Sequence, residues 1–346
     1  MGKIQYNSAM RKIIISLILF LAIVFVILRF SELKNILATL HRSNYRFLVA
    51  ALIIELVWLF NSATDYGSIF RLVGIKEKTL HLVLVATSAN FVNVIAPSVG
   101  IGGMAVFLDD AARQNHPTGR VTVVGVLYIL FDYLAFFCVL ALGFLVLIRR
   151  NNLNVGELTA AAILLAIAVG VAFLLYLGYR SAERLGKALT WIARLINRIL
   201  RPFIHRDYLQ QERARQFSEE ISEGITMLRG KRKELLWPLL YALNNFALLI
   251  CVLAFTFLAW GTPFSVGTLV GGFAIAYLFL IVSPTPAGLG VVEGAMTIAL
   301  NTLRVEWAAA ALITLTYRFI TFWFPLGVGA VAFRILGGKP KPSPVT

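Results

Sequence analysis

The sequence has little charge and few residues that cross-link a chain or bind a metal. Of its 346 residues, 14% are charged and 59% are hydrophobic, and the mean hydropathy is +0.81. A domain this apolar would aggregate in water, so the lipid bilayer is its expected solvent. The two cysteines, Cys138 and Cys251, both lie inside apolar stretches. They exclude a disulfide framework and a cysteine-based metal site.

Motifs of soluble enzymes are missing as well. The glycine-rich segments follow no strand pattern and contain no Gly-Lys-Ser/Thr, which excludes a dinucleotide or nucleotide loop. No H-E-x-x-H occurs, and the four histidines are scattered among loops and segment edges: His41, His81, His116 and His205. We therefore predict neither a metal nor another cofactor. The acidic pair Asp109-Asp110 is interpreted as a solvated helix end.

Long apolar runs are what the sequence has in abundance. Those able to cross about 30 Å of hydrocarbon lie near 12–29, 47–72, 121–148, 158–178, 236–260 and 306–334. They predict an all-α polytopic membrane protein with about six transmembrane helices. The first run follows Lys3, Arg11 and Lys12, but no small-residue cleavage site precedes Arg29, so we expect a retained signal anchor.

Two further apolar stretches are interrupted by proline and glycine. The stretch near 80–114 contains Ala-Pro-Ser-Val-Gly-Ile-Gly-Gly at 96–103, and the stretch near 265–303 contains Ser-Pro-Thr-Pro-Ala-Gly-Leu-Gly at 283–290. Such breaks are typical of re-entrant hairpins or of pairs of short spans, which would raise the total to eight. Both readings leave the sidedness of the other spans unchanged.

Basic residues indicate the orientation in the membrane. The sequence has 32 Lys and Arg against 17 Asp and Glu, a formal net charge of +15. They cluster in loops, above all at 180–235, which predicts a cell-membrane protein with that segment and both termini in the cytoplasm, and no nucleic-acid partner. Lys34, Arg42 and Arg46 fall on the predicted outer side, against this trend. Residues 181–204 have the pattern of an amphipathic helix, either at the interface or packed under the bundle.

The two broken stretches suggest an internal repeat. Each is preceded by two spans and followed by one, and a charge follows each break at a similar interval: Asp132 lies 35 residues after Pro97, and Arg318 lies 34 after Pro284. An odd number of spans per copy inverts the second copy, as in many alternating-access carriers. We predict repeats at 1–150 and 151–335, a basic insertion at 180–235 and a disordered tail at 336–346.

Ionisable residues inside apolar runs are the candidate site. Burying a charge at the bilayer centre costs about 2.5–3.5 kcal/mol even on the lenient insertion scale. The residues concerned are Glu55, Asp65, Asp132, Glu293 and Arg318. They either neutralise one another, with Arg318 paired to Glu293 or Asp132, or line a hydrated cavity that binds a zwitterionic or anionic head group.

The glycines of the breaks offer a second set of candidates. Breaks at mid-depth free backbone N–H groups, and a helix that restarts there points its positive dipole end at an anion. Gly288 and Gly290, with a helix restarting near Val291, and Gly100 and Gly102 in the first half are placed for this. Alternatively, the Gly290-x-x-x-Gly294 spacing serves only close helix packing.

The second break and the span after it resemble a known family. The segments are Ser-Pro-Thr-Pro-Ala-Gly-Leu-Gly-Val-Val-Glu-Gly-Ala-Met at 283–296 and Tyr-Arg-Phe-Ile-Thr-Phe-Trp-Phe-Pro-Leu at 317–326. They resemble the lysylphosphatidylglycerol synthase transmembrane-region family, also described as flippase-like, over roughly 12–335. The resemblance implies movement of lipids, notably aminoacylated phosphatidylglycerol, between leaflets. Aminoacylation in that family belongs to a separate soluble C-terminal domain. This chain ends about a dozen residues after its last span, so we expect no enzymatic activity.

The expected function is therefore translocation of a lipid or lipid-linked molecule, with membrane lipids of anionic or aminoacylated head group as partners. The expected substrate-binding residues are Glu55, Pro97, Gly100, Gly102, Asp132, Pro284, Pro286, Gly288, Gly290, Glu293, Tyr317 and Arg318. A membrane-protein partner or a second copy of the chain is a further expected partner. One alternative function is a non-catalytic accessory subunit of a cell-envelope lipid- or glycosyl-transferase. Another is a membrane-embedded transferase that uses Asp109 or Asp110 as its base.

Overall fold

The structure is a computed structural model that describes residues 43–95, 101–149, 155–180, 221, 223–228, 230–231, 233–283 and 285–338. The predicted span 12–29, the amphipathic segment 181–204, and Pro97, Gly100 and Pro284 lie outside these residues. In chain order the helices are α1 Tyr45–Leu72, α2 Thr79–Ile95, α3 Ile101–Arg113, α4 Thr118–Arg149, α5 Val155–Arg180, α6 Leu236–Ala259, α7 Val266–Val282, α8 Val291–Thr302, α9 Trp307–Arg318 and α10 Phe324–Gly338. A 3₁₀ turn at Pro286–Gly288 precedes α8, and a π-helical turn at Phe319–Trp323 joins α9 to α10.

Within the described residues, five segments are long and apolar enough to span a bilayer. They are Tyr45–Leu72, Thr118–Arg149, Val155–Leu174, Leu236–Ala259 and Trp307–Gly337. The last combines α9, the π turn and α10, and it extends into the predicted tail. Large apolar side chains such as Ile53, Leu165 and Phe173 face outward, as expected where lipid replaces water. These segments confirm five of the six predicted spans.

The first broken stretch is a re-entrant hairpin. Its helices α2 and α3 have 17 and 13 residues and pack against each other. Their open ends lie together, because Nε2 of His116, after α3, is 2.7 Å from Oε1 of Glu77, before α2. The chain therefore enters and leaves on the same side.

The second broken stretch repeats this arrangement from the opposite side. Its helices α7 and α8 have 17 and 12 residues, and Gly271 and Gly272 of α7 lie against Leu303 and Leu300 at the end of α8. The amide N–H of Asn44, before α1, donates to the carbonyl of Ala259 at the end of α6 over 2.8 Å. The start of α1 and the mouth of the second hairpin thus share one face, while the end of α1 and the mouth of the first hairpin share the other.

The long helices complete an inverted repeat of helix, hairpin and helix. Helix α1 packs against α6 along its length, and each hairpin packs on the last span of the other copy, α2 on α10 and α7 on α4. A glycine lies at both crossings. A Cβ on Gly143 of α4 would lie 2.5 Å from Ala274 Cβ, and a Cβ on Gly329 of α10 would lie 2.7 Å from Thr87 O. Small residues permit such close approach in membranes. The all-α polytopic fold with opposed hairpins is confirmed, whereas the boundary at 150/151 stays a prediction.

Candidate functional site

The tip of the second hairpin is a tight reversal built from its proline- and glycine-rich sequence. Ser283 Oγ lies 2.8 Å from Thr285 Oγ1, and the 3₁₀ turn that begins at Pro286 follows. Ala287, Gly288 and Gly290 then have φ angles of +50°, +69° and +80°. Such a left-handed run favours glycine. At Gly288 a Cβ would also collide with Val292 Cγ2.

Helix α8 begins at Val291, where the sequence predicts the restart. The carboxylate of Glu293, in its first turn, accepts a hydrogen bond from the Gly290 N–H over 2.6 Å. A helix N-terminus favours an anion. Here the protein supplies that anion itself.

Arg318 completes this arrangement. Its Nε donates to Glu293 Oε1 over 2.7 Å, its Nη2 donates to the Ala287 carbonyl oxygen over 2.9 Å, and its guanidinium lies 4.7 Å from the centre of the Phe322 ring. Of the two ion pairs considered from the sequence, the structure contains Arg318 with Glu293. The pair holds the hairpin tip against the last span.

The π turn Phe319–Trp323 directly follows Arg318. A π turn widens the helix by one residue and frequently occurs at functional sites. Here it places Arg318 and Phe322 on the same side, facing the tip. The sequence contains no signal that identified this turn.

A cavity of about 250 Å³ lies beside the ion pair. It is walled by aromatic and aliphatic side chains from both repeats, and its polar lining comes from Asn90, Asn93, Tyr277, Tyr317, Arg318 and Thr321. The first hairpin contributes through Asn93, whose Oδ1 accepts the Gly103 N–H over 2.6 Å at the start of α3. Both hairpins therefore bound the cavity.

Two donors that lack a partner in the described part of the chain belong to residues that line this cavity. Among the described residues, Arg318 Nη1 has no hydrogen bond, and the indole Nε1 of the lining residue Trp58 is buried without a partner. Buried donors normally have partners. A ligand rich in hydrogen-bond acceptors would provide a partner for both donors.

The other predicted site residues are distributed around this centre. Tyr317 lines the cavity directly, and Gly102 lies in the first turn of α3. Asp132, the alternative partner of Arg318 considered from the sequence, is not part of the Arg318–Glu293 pair. Its Oδ2 instead accepts from the Tyr277 hydroxyl over 3.3 Å, so it contacts the cavity wall through Tyr277. Glu55 is completely buried in α1, and neither carboxyl oxygen has a hydrogen bond within the described residues.

In the acidic pair at the end of α3, Asp109 is exposed, as the solvated interpretation expects, whereas Asp110 is not. Asp110 is buried, and its Oδ2 lies 2.8 Å from His81 Nε2 and 3.0 Å from Gln114 Nε2. Burial raises the pKa of Asp110, but the hydrogen bonds from His81 and Gln114 and the nearby Arg113 charge outweigh it, so the pKa lies below its ordinary value. Asp109 pairs with Arg113. The sequence separation of Asp110 and His81 concealed this contact.

These features define a class: polytopic helical membrane proteins with two opposed re-entrant hairpins and a charged pair at one tip. Residues 13–329 match the family described as "Lysylphosphatidylglycerol synthase TM region". The chain belongs to this family, which confirms the resemblance.

Two relatives have names that describe them as membrane proteins. A "UPF0104 membrane protein" from Methanothermobacter thermautotrophicus is 24% identical over 306 residues, which cover 87% of this chain and 88% of the relative. A second one, from Methanocaldococcus jannaschii, is 22% identical over 340 residues, or 97% of each chain.

Proposed function

We propose that this protein moves a lipid or lipid-linked molecule with an anionic head group between leaflets, without chemically converting it. The observation that carries the proposal is Arg318, which lies near the middle of the span Trp307–Gly337 and lines the cavity between the hairpins. Arginine binds phosphate with a planar fork of donors. Nε is engaged by Glu293 and one Nη2 hydrogen by the Ala287 carbonyl, so the phosphate would bind to Nη1 and to the second hydrogen of Nη2.

The size and lining of the cavity suit a head group rather than a whole lipid. A volume of about 250 Å³ is below the range of about 300–1,000 Å³ that holds drug-sized ligands. The acyl chains of a two-chain lipid would therefore remain in the bilayer while the head group enters. Apolar walls beside a few polar groups fit this division.

Opposed hairpins of an inverted repeat provide a route for alternating access. The Asn44–Ala259 and Glu77–His116 contacts put the two mouths on opposite faces, and each hairpin packs on the last span of the other copy. Rocking of one copy against the other would expose the cavity first to one leaflet and then to the other. The Glu293–Arg318 bond keeps the arginine neutralised while no ligand is bound.

We further propose that the mouth of the first hairpin faces the cytoplasm of a cell-membrane protein. Basic residues concentrate on that face: Arg71, Lys76, Lys78, Arg113, Arg120, Lys231 and Lys233. The opposite face has Arg46, Arg149 and Arg304 among the described residues. In a cysteine-free background, an impermeant thiol reagent added to intact cells should label Pro263→Cys but not Lys78→Cys. The reverse pattern would exclude this orientation.

A non-catalytic accessory subunit is the second candidate function. The observation that favours it is the same ion pair, because a scaffold needs a self-paired polar centre and no free charge. In that case Arg318 and Glu293 serve only to lock the hairpin tip.

Leaflet-resolved lipid transport in proteoliposomes separates the two candidates. Arg318→Gln should slow transport of a phosphate-containing lipid at least about tenfold, equivalent to ~1.4 kcal/mol. Arg334→Gln, an exposed arginine in the same span, should stay near the wild-type rate. The double variant Arg318→Gln/Glu293→Gln should remain slow. Full recovery of transport in the double variant would refute the phosphate anchor, and wild-type protein that moves no lipid would favour the accessory subunit.

A further inference from the structure

A second ionisable cluster lies between α1 and α4, apart from the Arg318 pair. Asp65 of α1 is 1% exposed and Asp132 of α4 is partly buried. Tyr66, next to Asp65, stacks on Tyr128, one turn before Asp132, so the stretches of α1 and α4 that contain the two acids are in contact. Two neighbouring acids inside a membrane protein therefore require an explanation.

No cation neutralises this pair among the described residues. The ionisable side chains beside the two aspartates are tyrosines: Tyr66 from α1, Tyr128 and Tyr133 from α4, and Tyr277 from α7. Asp65 Oδ1 is buried and has no hydrogen-bond partner in the described part of the chain. The contrast with Glu293 is direct, because Glu293 has a guanidinium at 2.7 Å.

Electrostatics then favours a bound proton. An ionised carboxylate that is buried without a cationic partner is more costly than its neutral form. A metal cation would need a shell of about six oxygen ligands. Within the described residues, no group of three or more His, Cys, Asp or Glu side chains is arranged to hold one.

The cluster is connected to the cavity through Tyr277. Its hydroxyl donates to Asp132 Oδ2 over 3.3 Å, and its side chain lines the cavity. On the other side, Tyr66 stacks on Tyr128 with 3.8 Å between ring centres, and the Tyr128 hydroxyl lies 3.1 Å from Ser62 Oγ. A change of charge on Asp132 would act on Tyr277, and through it on the packing of α7.

We propose that Asp65 and Asp132 form a proton-binding site that couples proton movement to the cavity through Tyr277. In one conformation the pair takes a proton from water on one side, and in the other conformation it releases that proton to water on the opposite side. The coupling rests on the proposed transport function, whereas the proton site itself does not. Asparagine resembles a protonated aspartate in shape, so Asp65→Asn and Asp132→Asn should fold.

Infrared difference spectroscopy of the purified full-length protein tests the proton site without any transport assay. A pH jump from neutral to alkaline should remove a carbonyl band of a protonated carboxylic acid. That component should be absent from Asp65→Asn and Asp132→Asn but retained in Glu55→Gln, which controls for the other buried acid. If wild type and both asparagine variants give the same band, the site does not exist.

Lipid transport in proteoliposomes under an imposed pH gradient tests the coupling. The gradient should accelerate wild-type transport, Asp65→Asn should keep the rate seen without a gradient but lose the acceleration, and Arg318→Gln should be slow in both conditions. Wild-type transport that ignores the pH gradient, or responds to a sodium gradient instead, would overturn the coupling while leaving the transport function intact. Wild type that moves no lipid contradicts the transport function and with it the coupling, and the infrared result alone then decides the proton site.

Discussion

The two re-entrant hairpins have similar lengths but concentrate their polar contacts at opposite ends. In the first, hydrogen bonds between histidine and carboxylate side chains join the mouth, where His81 contacts Asp110 and His116 contacts Glu77. In the second, the charged contact is at the tip, where Glu293 meets Arg318, and the described mouth packs small and apolar side chains. The comparison indicates that the first hairpin is fixed at the membrane surface, whereas the second presents its chemistry in the membrane interior.

The largest expected loss of stability comes from substitutions at the tip of the second hairpin. Glu293→Gln leaves the buried guanidinium of Arg318 without its counter-charge and should lower the free energy of unfolding by about 3–5 kcal/mol. Arg318→Gln should cost a similar amount. Thermal denaturation in detergent should show that the double variant loses less than the sum of the two single losses. Additive losses would mean that the two groups are independent.

The two glycines at the same hairpin tip should differ in how much stability is lost when each is replaced by alanine. Gly288→Ala combines a left-handed backbone with a collision against Val292, so we expect a loss of about 3 kcal/mol. Gly290→Ala also has a positive φ but open space around its Cβ, so a loss of about 1–2 kcal/mol is expected. Equal melting temperatures for the two variants would contradict the described path of the turn.

Substitutions at the two helix crossings between the repeats should lower stability by similar amounts. This tests whether the two copies pack in the same way. Gly143→Ala and Gly329→Ala each place a methyl group against the facing hairpin helix and should each lose about 2 kcal/mol. Gly170→Ala in α5, where nothing lies within 4 Å of the Cβ, serves as the control. A large loss at only one crossing would argue against equivalent packing in the two halves.

Substitutions at the mouth of the first hairpin should have the smallest effect. They should lower stability slightly and leave transport unchanged. Asp110→Asn weakens the contacts with His81 and Gln114 and should cost about 1 kcal/mol. The neighbouring Asp109→Asn removes an exposed surface pair and should cost less than about 0.5 kcal/mol. Both variants should transport at near the wild-type rate, and a transport defect in Asp110→Asn with normal stability would move the functional site toward this mouth.

Low pH should weaken the contact of Asp110 with His81 and Gln114. The folded-state pKa of Asp110 lies below its ordinary value, so the stabilisation is present above that ordinary value and is lost as the pH falls through the folded pKa. Asp110→Asn should remove this part of the pH dependence. A denaturation series at decreasing pH, with wild type and variant side by side, measures it. Identical pH profiles would show that the Asp110 contact contributes nothing.

Features governed by local sequence were predictable, and features governed by contacts across the chain were not. The apolar runs identify the spans, and proline and glycine at 283–290 mark a break with a helix restart at Val291 because they act on their own backbone. Whether the broken stretches re-enter or span depends on which loops lie together, such as Glu77 with His116. No periodicity contains that information.

The sequence indicated which ionisable residues are buried, but not which of them contact each other. The cost of burying charge identified Glu293, Arg318, Asp65 and Asp132 from the sequence alone. It did not indicate that Glu293 would cap its own helix, or that Asp132 would bond Tyr277 rather than Arg318. Trp58, Asn93 and the π turn were missed, because aromatic and amide side chains in apolar runs usually serve packing.

The most direct test of the central claim is the rate of phosphate-lipid transport by Arg318→Lys in proteoliposomes. Lysine keeps the charge and can still pair with Glu293, but a point charge does not reproduce the arginine fork. The account predicts a folded protein that transports at least about tenfold more slowly than wild type, equivalent to ~1.4 kcal/mol, with Arg334→Lys unaffected. Transport by Arg318→Lys at the wild-type rate would show that Arg318 provides only charge to the hairpin tip and does not recognise the head group.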